Sequence, residues 1–549
     1  MENVIDLFTG DNLQRLMFSV GLIGLLFAIG WGIFIYLKPR HPPTPPREKE
    51  ITKGKIIDAL GEMPEEERGR VLAAVDALYG IEQAEPRKAE IVHEALSLLK
   101  EGNTSGAEDI LRAHLENRKL AGRDALREAA ATARHLGAFV YLHDTKKALE
   151  SYREATRLDP EEPDGWLQLG QVALRAGDSG EALRAFRELA RRAEQRGEIR
   201  WQAIAQSKLG DLDALRGDTG SALARYRQAE SLLRQWAQLD PDDPGRQRDL
   251  SVSHNKIGDM HRANGDGAKA LAAYQEGLVI ARKLTELDPG NTEWQRDLSV
   301  SHNKIGDMHR ANGDGAKALA AYQEGLSIRE KLTELDPGNT QWQRDLSVSH
   351  NKIGDIYLAN GDGAKALAAH QEGLVIARKL TELDPGNTEW QRDLSVSHNK
   401  IGDMHRANGD GAKALAAYQE GLVIARKLTE LDPGNTEWQR DLSVSFDRVG
   451  DIYLANGDGA KALAAYQEGL VIARKLTELD PLRVQWKTDV VVSFVRMADL
   501  EADKGRRAQW LHGALAILEP LAAENRLSAE QKGWIAAIKK ALVGLESLE

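Results

Sequence analysis

The 549-residue sequence contains no cysteine. This absence excludes disulfide bonds, thiolate nucleophiles and cysteine-ligated zinc sites, and it suits a reducing compartment. Acidic side chains outnumber basic ones by 84 to 73, and the resulting net charge of −11 argues against a nucleic-acid partner. The sequence also has no GxxxxGK(S/T) motif, which excludes a P-loop nucleotide site.

An internal repeat fills much of the chain. One unit begins at Trp294, and the same unit restarts 48 residues later at Trp342 and then at Trp390 and Trp438. A further copy begins at Arg246, and diverged sequence keeps the spacing beyond the last full copy. A period between 20 and 50 residues predicts a solenoid, in which each unit buries its apolar face against its neighbours.

Within a unit, apolar and small residues recur three and four positions apart on both sides of the segment 263–267, Ala-Asn-Gly-Asp-Gly. This segment contains a glycine that can end one helix and an aspartate that can cap the next. Pro289 then ends the second helix before the turn that leads into the next unit. Each unit is therefore predicted to be a pair of antiparallel helices, and the fold class is predicted to be all-α.

The glycine, alanine and aromatic residues of the unit have the spacing of a known repeat signature. They are Ile257-Gly258, Gly265, Ala270, Tyr274 and Gly277, with a second set at Leu169-Gly170, Gly177, Ala182 and Phe186. The chain resembles a tetratricopeptide repeat protein, although the common repeat of that family has 34 residues rather than 48. The resemblance implies a right-handed superhelix of helical hairpins, an α-solenoid that serves as an interaction scaffold and not as an enzyme.

Leu16 to Leu37 form an uncharged, apolar run of 22 residues near the start of the chain. As a helix the run would be about 33 Å long, which matches the hydrocarbon thickness of a bilayer. Basic residues cluster directly after it, so the positive-inside rule places the bulk of the chain in the cytoplasm. Gly24, Ala28 and Gly32 have the small-xxx-small spacing of associating membrane helices, which would give a homo-oligomer through this helix.

The composition divides the chain into seven predicted segments. In chain order they are a short N-terminal segment (1–15), a transmembrane helix (16–37), a proline-rich linker (38–50), a helical cap (51–122), tetratricopeptide-like repeats of about 34 residues (123–197), repeats of 48 residues (198–485) and a diverged C-terminal capping repeat (486–549). A terminal repeat of a solenoid must face water on one side, which explains the divergence at the end.

The resemblance also places the first helix of each hairpin along a groove that binds protein or peptide partners. By the match at Gly258, the groove would present Asn, Asp and Arg side chains, because amides suit an extended peptide backbone and charges set its register. The predicted groove residues are Asn255, Asp259, Arg262, Asn303, Asp307, Arg310, Asn351, Asp355, Asn399, Asp403, Arg406, Asp447 and Asp451. Near-identical copies would favour a partner that is itself repetitive or oligomeric.

Two patterns imitate catalytic or metal sites. The segment 177–180, Gly-Asp-Ser-Gly, is similar to a serine-protease nucleophile loop, but it falls on the turn between two predicted helices. His254 and His261 lie on one helix face, yet other copies place Phe446 or Tyr357 in the same positions, which indicates packing rather than metal binding. We expect no catalytic residues, no metal site and no cofactor.

The predicted function is a membrane-anchored scaffold that binds proteins on the cytoplasmic face. Two alternatives stay open at this point: a regulatory or sensor subunit of a bacterial signalling or defence system, and a periplasmic envelope-assembly factor. An enzyme with its active site in the cap, residues 51–122, is a further alternative for which the sequence offers no catalytic constellation.

Overall fold

The computed structural model describes residues 123–141 and 144–546. The predicted transmembrane helix (16–37), linker (38–50) and cap (51–122) lie outside these residues. Among the helices within the described ranges, none combines the length and the apolar character needed to cross a membrane.

The described residues contain nineteen helices and no strand, which confirms the predicted all-α class for this part of the chain. In chain order the helices are α1 (Arg123–Val140), α2 (Thr145–Leu158), α3 (Pro163–Arg175), α4 (Ser179–Gln195), α5 (Ile199–Leu215), α6 (Thr219–Gln238), α7 (Pro244–Ala263), α8 (Gly267–Leu287), α9 (Thr292–Ala311), α10 (Gly315–Leu335), α11 (Thr340–Ala359), α12 (Gly363–Leu383), α13 (Thr388–Ala407), α14 (Gly411–Leu431), α15 (Thr436–Ala455), α16 (Gly459–Leu479), α17 (Val484–Leu500), α18 (Lys504–Ala523) and α19 (Ala529–Glu546).

The chain divides into two compact units. The first combines the described part of Met1–Val172 with Thr333–Leu346 and Val375–Leu394. The second combines Ala173–Leu332, Ser347–Leu374 and the residues from Ser395 onward. In the second unit helices pack on their chain neighbours both within a hairpin, as α7 does on α8, and between hairpins, as α8 does on α9.

The turn inside each hairpin follows the predicted chemistry. Gly265 has a φ of 77°, a left-handed conformation that glycine adopts without steric cost. The carboxylate of Asp266 then accepts a hydrogen bond from the backbone N–H of Lys269 at 3.3 Å and caps α8. At the far end of α8, Asn291 caps α9 by accepting from the N–H of Trp294 at 3.1 Å.

The longer repeat comes from longer helices. Helices α3 and α4 have 13 and 17 residues, whereas α7 and α8 have 20 and 21. Each hairpin of the longer type therefore offers about two extra turns on its first helix and about one on its second.

A small apolar core lies between successive hairpins. Ala270 and Tyr274 of α8 pack against Ile305 and Met308 of α9. The Tyr274 ring lies against Gly258 so closely that a Cβ at this glycine would stand 2.5 Å from the ring. The glycine therefore lets the two helices of the hairpin approach each other closely. The pairing of Gly258 with Tyr274 determines which faces of the two helices are buried.

In the second unit, late hairpins also contact early ones. Arg175, at the end of α3, donates to the Asp432 carboxylate at 3.4 Å, and its backbone oxygen accepts from Thr436 Oγ1 at 2.7 Å. Its guanidinium lies 5.3 Å from the centre of the Trp438 ring. Arg526 donates to the backbone oxygen of Arg216 at 2.6 Å. We call these contacts between residues 175–217 and residues 432–526 the return contact.

The repeated tryptophans have different environments. Trp390, Trp438 and Trp486 are buried, whereas Trp294 and Trp342 are only half-buried. The sequence predicts that all of them pack where one hairpin meets the next. In Trp438 the burial also comes from Arg175, which lies more than 250 residues earlier in the chain.

Candidate protein-binding surface

The asparagines predicted to line the groove point into their own hairpins. Asn303 is buried, and its terminal amide would come within 2.9 Å of a Cβ at Gly325 of the facing helix. In the next copies Asn351 and Asn399 make the same approach, to Gly373 and Gly421. Each amide therefore fills the space that is free because the facing residue is glycine. The role of these asparagines in partner binding stays a prediction.

The predicted aspartates form a ladder that joins one hairpin to the next. Asp259 accepts from the hydroxyl of Tyr274 in its own hairpin at 2.6 Å and from Lys304 of the following hairpin at 2.8 Å. Asp307 is bound in the same way by Tyr322 and Lys352. Further rungs join Asp211 to Lys256, Asp355 to Lys400, Asp403 to Arg448 and Asp451 to Arg496. The ladder holds successive first helices in register.

The predicted arginines lie at the ends of the same helices and are more exposed. Arg310 comes within 3.7 Å of the Asp355 carboxylate, and Arg406 comes within 3.7 Å of Asp451. Arg262 lies 3.9 Å from Asp259 in its own helix. About half of each guanidinium side chain faces solvent, so these ion pairs contribute little to stability and leave the arginines accessible to a partner.

A second ladder runs along the other end of the first helices. Arg248 donates to Asp297 of the next hairpin and to Glu293 at 2.9 Å. Arg440 and Asp489 repeat the pair at 2.6 Å, and so do Arg200 and Asp249 at 2.8 Å. Here the arginine belongs to the earlier hairpin, whereas in the first ladder the cation belongs to the later one.

Valines lie between the two ladders and were not predicted as site residues. Val252, Val348 and Val396 occupy the same position in three copies and are 47%, 39% and 44% exposed. Val252 is four residues from Arg248 and four from Lys256, so the three side chains share one helix face. Its neighbours Ser251 and Ser253 are buried, so here the polar side chains face the core and the apolar one faces solvent. The repeated Ser-Val-Ser sequence was the signal for this exposed valine.

Comparison with known proteins identifies the repeat. A family model described as "Tetratricopeptide repeat" matches residues 138–196, which contain α3 and α4. This match confirms the predicted resemblance to tetratricopeptide repeat proteins. No curated protein matches it. A solenoid of stacked hairpins is an architecture suited to protein–protein interaction, because its repeats create an extended surface.

Several solved structures are similar to this chain. "BtubC (BKLC) from P. vanneervenii" is 20% identical over 46% of this chain and 91% of that one, with a TM-score of 0.37. A "Rap Protein Complexed with Competence and Sporulation Factor" is 15% identical over 72% of this chain and 99% of that one, with a TM-score of 0.41. "MamA" is 18% identical over 40% of this chain and 97% of that one, with a TM-score of 0.24.

The surroundings of the ladder residues favour a fixed protonation state for the tyrosine and for the aspartate. Burial, together with the Asp259 carboxylate, raises the pKa of Tyr274 above its usual range, so the phenol stays protonated and donates. Burial favours the neutral form of Asp307, but Lys352 and Tyr322 outweigh it and lower the pKa of that carboxyl. The ladder aspartate is therefore ionised at neutral pH and holds its lysine.

The repeated histidines behave as packing residues. Burial lowers the pKa of His254 below its ordinary value, although the carboxylates of Glu230 and Glu276 oppose the change. The pKa values of His302 and His350 are lowered for the same reason. A neutral imidazole between helices fits positions that accept Phe446 in another copy. Within the described ranges, no three His, Asp or Glu side chains come together in a way that could hold a metal ion.

Asp447 differs from the asparagines that hold its position in the earlier copies. Burial raises the pKa of its carboxyl to about 7, and Arg496, which donates to its Oδ2 at 3.1 Å, opposes the rise. The second oxygen, Oδ1, is buried without a hydrogen-bond partner. Ionisation of Asp447 is therefore costly in the folded chain.

We expect Asp447→Asn to stabilise the protein in a pH-dependent way. The folded pKa lies above the ordinary value of 3.8, so the folded chain takes up a proton and loses stability as pH rises through that interval. The amide removes this cost, and Arg496 keeps Asp451 at 2.8 Å. The gain should be on the order of 1–3 kcal/mol at pH 8 and small at pH 4.5, measured by denaturant unfolding.

The reverse change, Asn255→Asp, is the matched control. It places a carboxylate against Gly277 in an earlier copy, where the Asn255 Oδ1 is buried without a hydrogen-bond partner. This variant should lose stability as pH rises from 4.5 to 8. If both variants changed stability by the same amount at every pH, the carboxyl at position 447 would not titrate in this interval.

Proposed function

We propose that this protein is a membrane-anchored scaffold that binds extended segments of partner proteins along the first helices of its repeats. The observation that carries the proposal is the row of exposed valines at 252, 348 and 396, each flanked by charged side chains on the same helix face. An exposed apolar side chain that recurs at the same position of a repeat provides regularly spaced anchoring points.

The two ladders define which kind of partner suits this row. Their charges are mutually paired, as Asp259 is with Lys304, so the flanks carry little net charge of either sign. Binding energy therefore comes mainly from apolar side chains of the partner that meet the valines, while the paired charges set register. A partner with apolar residues at regular spacing gains from several repeats at once, because each further contact forms at high effective concentration.

Site-specific photocrosslinking tests this proposal in cells. A photoreactive amino acid at position 348 should give a discrete adduct with a partner protein. The matched control is position 423, a valine that is similarly exposed but lies on a second helix. Adducts of equal yield at both positions, or none at 252, 348 and 396, would contradict the proposed surface.

Substitutions of the exposed valines measure how much this surface contributes to the affinity for the partner. Changing Val252, Val348 and Val396 together to Asp should lower the affinity for the crosslinked partner at least tenfold, because three apolar contacts are lost together. Val348→Asp alone should have a much smaller effect. The control set Val279→Asp, Val375→Asp and Val423→Asp adds the same charge on second helices and should leave affinity unchanged. Fluorescence anisotropy with the full-length protein provides the measurement.

The membrane part of the proposal rests on the apolar run from Leu16 to Leu37 and on the basic residues that follow it. Under the positive-inside rule the repeats lie in the cytoplasm. A reporter enzyme that is active only outside the cytoplasm, fused after Glu549, should be silent, and a cytoplasmic reporter at the same place should be active. The opposite pattern would favour an envelope-assembly role.

A further inference from the structure

Two identical segments of this protein have different surroundings. Residues 287–294 and 431–438 both read Leu-Asp-Pro-Gly-Asn-Thr-Glu-Trp. In the second segment Asp432 is 3% exposed and Trp438 is 6% exposed. In the first, Leu287 is 69% exposed, Asp288 is exposed and Trp294 is half-buried. We call residues 287–294 the open loop and residues 431–438 the covered loop.

The turn between α3 and α4 covers the second segment. Arg175 binds Asp432, Thr436 and Trp438, as described for the return contact. One copy further along, Leu479 lies against Gly177, and the Ser179 hydroxyl donates to the Asp480 carboxylate. Leu479 occupies the position that Leu287 holds in the open loop. Asp432 and Trp438 of the covered loop, together with Leu479 and Asp480 of the next copy, therefore form a surface that receives the turn of a helical hairpin.

The same chain carries further hairpin turns whose left-handed glycine is not covered by any of the described residues. Four turns have no heavy atom of the described chain within 4 Å of the place where a Cβ of their glycine would stand: Gly313, Gly361, Gly409 and Gly457. Their φ angles of 76° to 81° match the 81° of Gly177, so their backbones have the shape that the covered loop accepts. We call these four the open turns.

We propose that a second copy of this chain docks head to tail, with an open turn of one copy on the open loop of the other. The intramolecular return contact is the template, because the receiving segment has the same sequence and the incoming turn has the same backbone conformation. The two surfaces differ from each other, so the contact is heterologous and builds rings or open chains rather than closed two-fold dimers. The partner is this protein itself.

The side chains of the open turns predict that the association is weak. Arg175 anchors the covered loop, but the open turns have alanine at that position, at 311, 359, 407 and 455. Ser179 likewise has a glycine counterpart in each. The contact between an open turn and the open loop therefore keeps the interactions made by the turn backbone and by the leucine. It lacks the guanidinium that binds Asp432 and stacks on Trp438 in the return contact. Such a contact responds strongly to local concentration.

Sedimentation velocity of the full-length protein in detergent, across a concentration series, tests the proposal. The weight-average mass should rise with concentration, and Leu287→Glu should remove most of the rise. Val279→Glu is the matched control, because this exposed valine lies on the same helix, outside the open loop. Equal effects of the two variants, or a constant monomer mass for the wild-type protein, would overturn the proposal. An association through the membrane segment would leave Leu287→Glu without effect, and this outcome also counts against it.

A gain-of-function variant provides an independent test. Replacing Ala311, Ala359, Ala407 and Ala455 together by Arg restores the missing guanidinium on every open turn and should strengthen self-association at least tenfold. The control places four arginines at the exposed positions Ala320, Ala368, Ala416 and Ala464 of the second helices of the same repeats. Adding Leu287→Glu to the first set should abolish the gain. Equal association of the two arginine sets would show a general charge effect and refute the contact.

Discussion

Trp438→Ala should destabilise the second unit by about 3–5 kcal/mol, the usual cost of removing a large buried aromatic side chain. The Trp438 ring is 6% exposed and contacts the Arg175 guanidinium, so the substitution leaves a cavity and also weakens the return contact. Because repeat proteins unfold locally, hydrogen exchange should accelerate most in residues 446–455, whose sequence is unique in the chain. Denaturant unfolding followed by circular dichroism provides the free energy.

Trp294→Ala is the matched control for this prediction. The tryptophan stands at the end of the same eight-residue sequence, but it is only half-buried. Its removal should cost roughly half as much or less, since the cost scales with the apolar area that leaves contact. Equal losses of stability for the two substitutions would mean that the adjacent hairpin alone buries both rings and that the return contact adds nothing.

Tyr418→Ala should have an effect of similar size, about 3–5 kcal/mol, because the Tyr418 ring is fully buried between hairpins. It packs with Val449 and Ile452 of the next hairpin, and its hydroxyl donates to Asp403 at 2.6 Å. The substitution removes an apolar contact and one partner of a ladder carboxylate together. Denaturant unfolding of the full-length variant measures the loss.

The contact of this ring with Gly402 can be isolated by a double-mutant cycle. A Cβ at Gly402 would stand 2.5 Å from the Tyr418 ring, so Gly402→Ala alone should cost about 1–3 kcal/mol through overpacking. In the Tyr418→Ala background the same change should be neutral or stabilising, because the ring is gone and alanine favours the helix. Additive costs would show that the glycine has another role.

The local features of the fold could be predicted from the sequence because they depend on neighbours in the chain. The glycine and aspartate of the segment 263–267 predict a helix end followed by a helix start, and the structure places both there. Tyr274 and Gly258 belong to a spacing pattern that fixes which faces of the hairpin meet. These signals recur in every copy and agree with one another, which makes the helical hairpin easy to recognise.

The candidate site was harder to predict because residues three positions apart on one helix can have different surroundings. Asn303 and Val300 are three residues apart, yet Asn303 is buried and Val300 is only half-buried, because the facing helix has a glycine opposite the amide. Gly325 creates the space that receives the Asn303 amide. A sequence pattern shows that both residues repeat, but it does not show which of them meets Gly325. The serines around Val252 were the only local indication.

The return contact could not be predicted from the repeat itself. Residues 287–294 and 431–438 are identical, so no local property distinguishes the exposed copy from the covered one. The difference arises because Arg175 reaches one copy across more than 250 residues of chain. In a solenoid of near-identical units, the functional difference between copies comes from position along the array. This is why we assign the open loop, and not the covered loop, to self-association.

Hydrogen exchange of the shared peptide tests this account most directly. The sequence Leu-Asp-Pro-Gly-Asn-Thr-Glu-Trp occurs at residues 287–294, 383–390 and 431–438, so its three copies have the same mass and the same intrinsic exchange rates. Trp390 and Trp438 are buried and Trp294 is not, so at low protein concentration the peptide should give two isotope envelopes, the faster one about a third of the total. A single envelope at all labelling times would contradict the claim that identical copies have different surroundings.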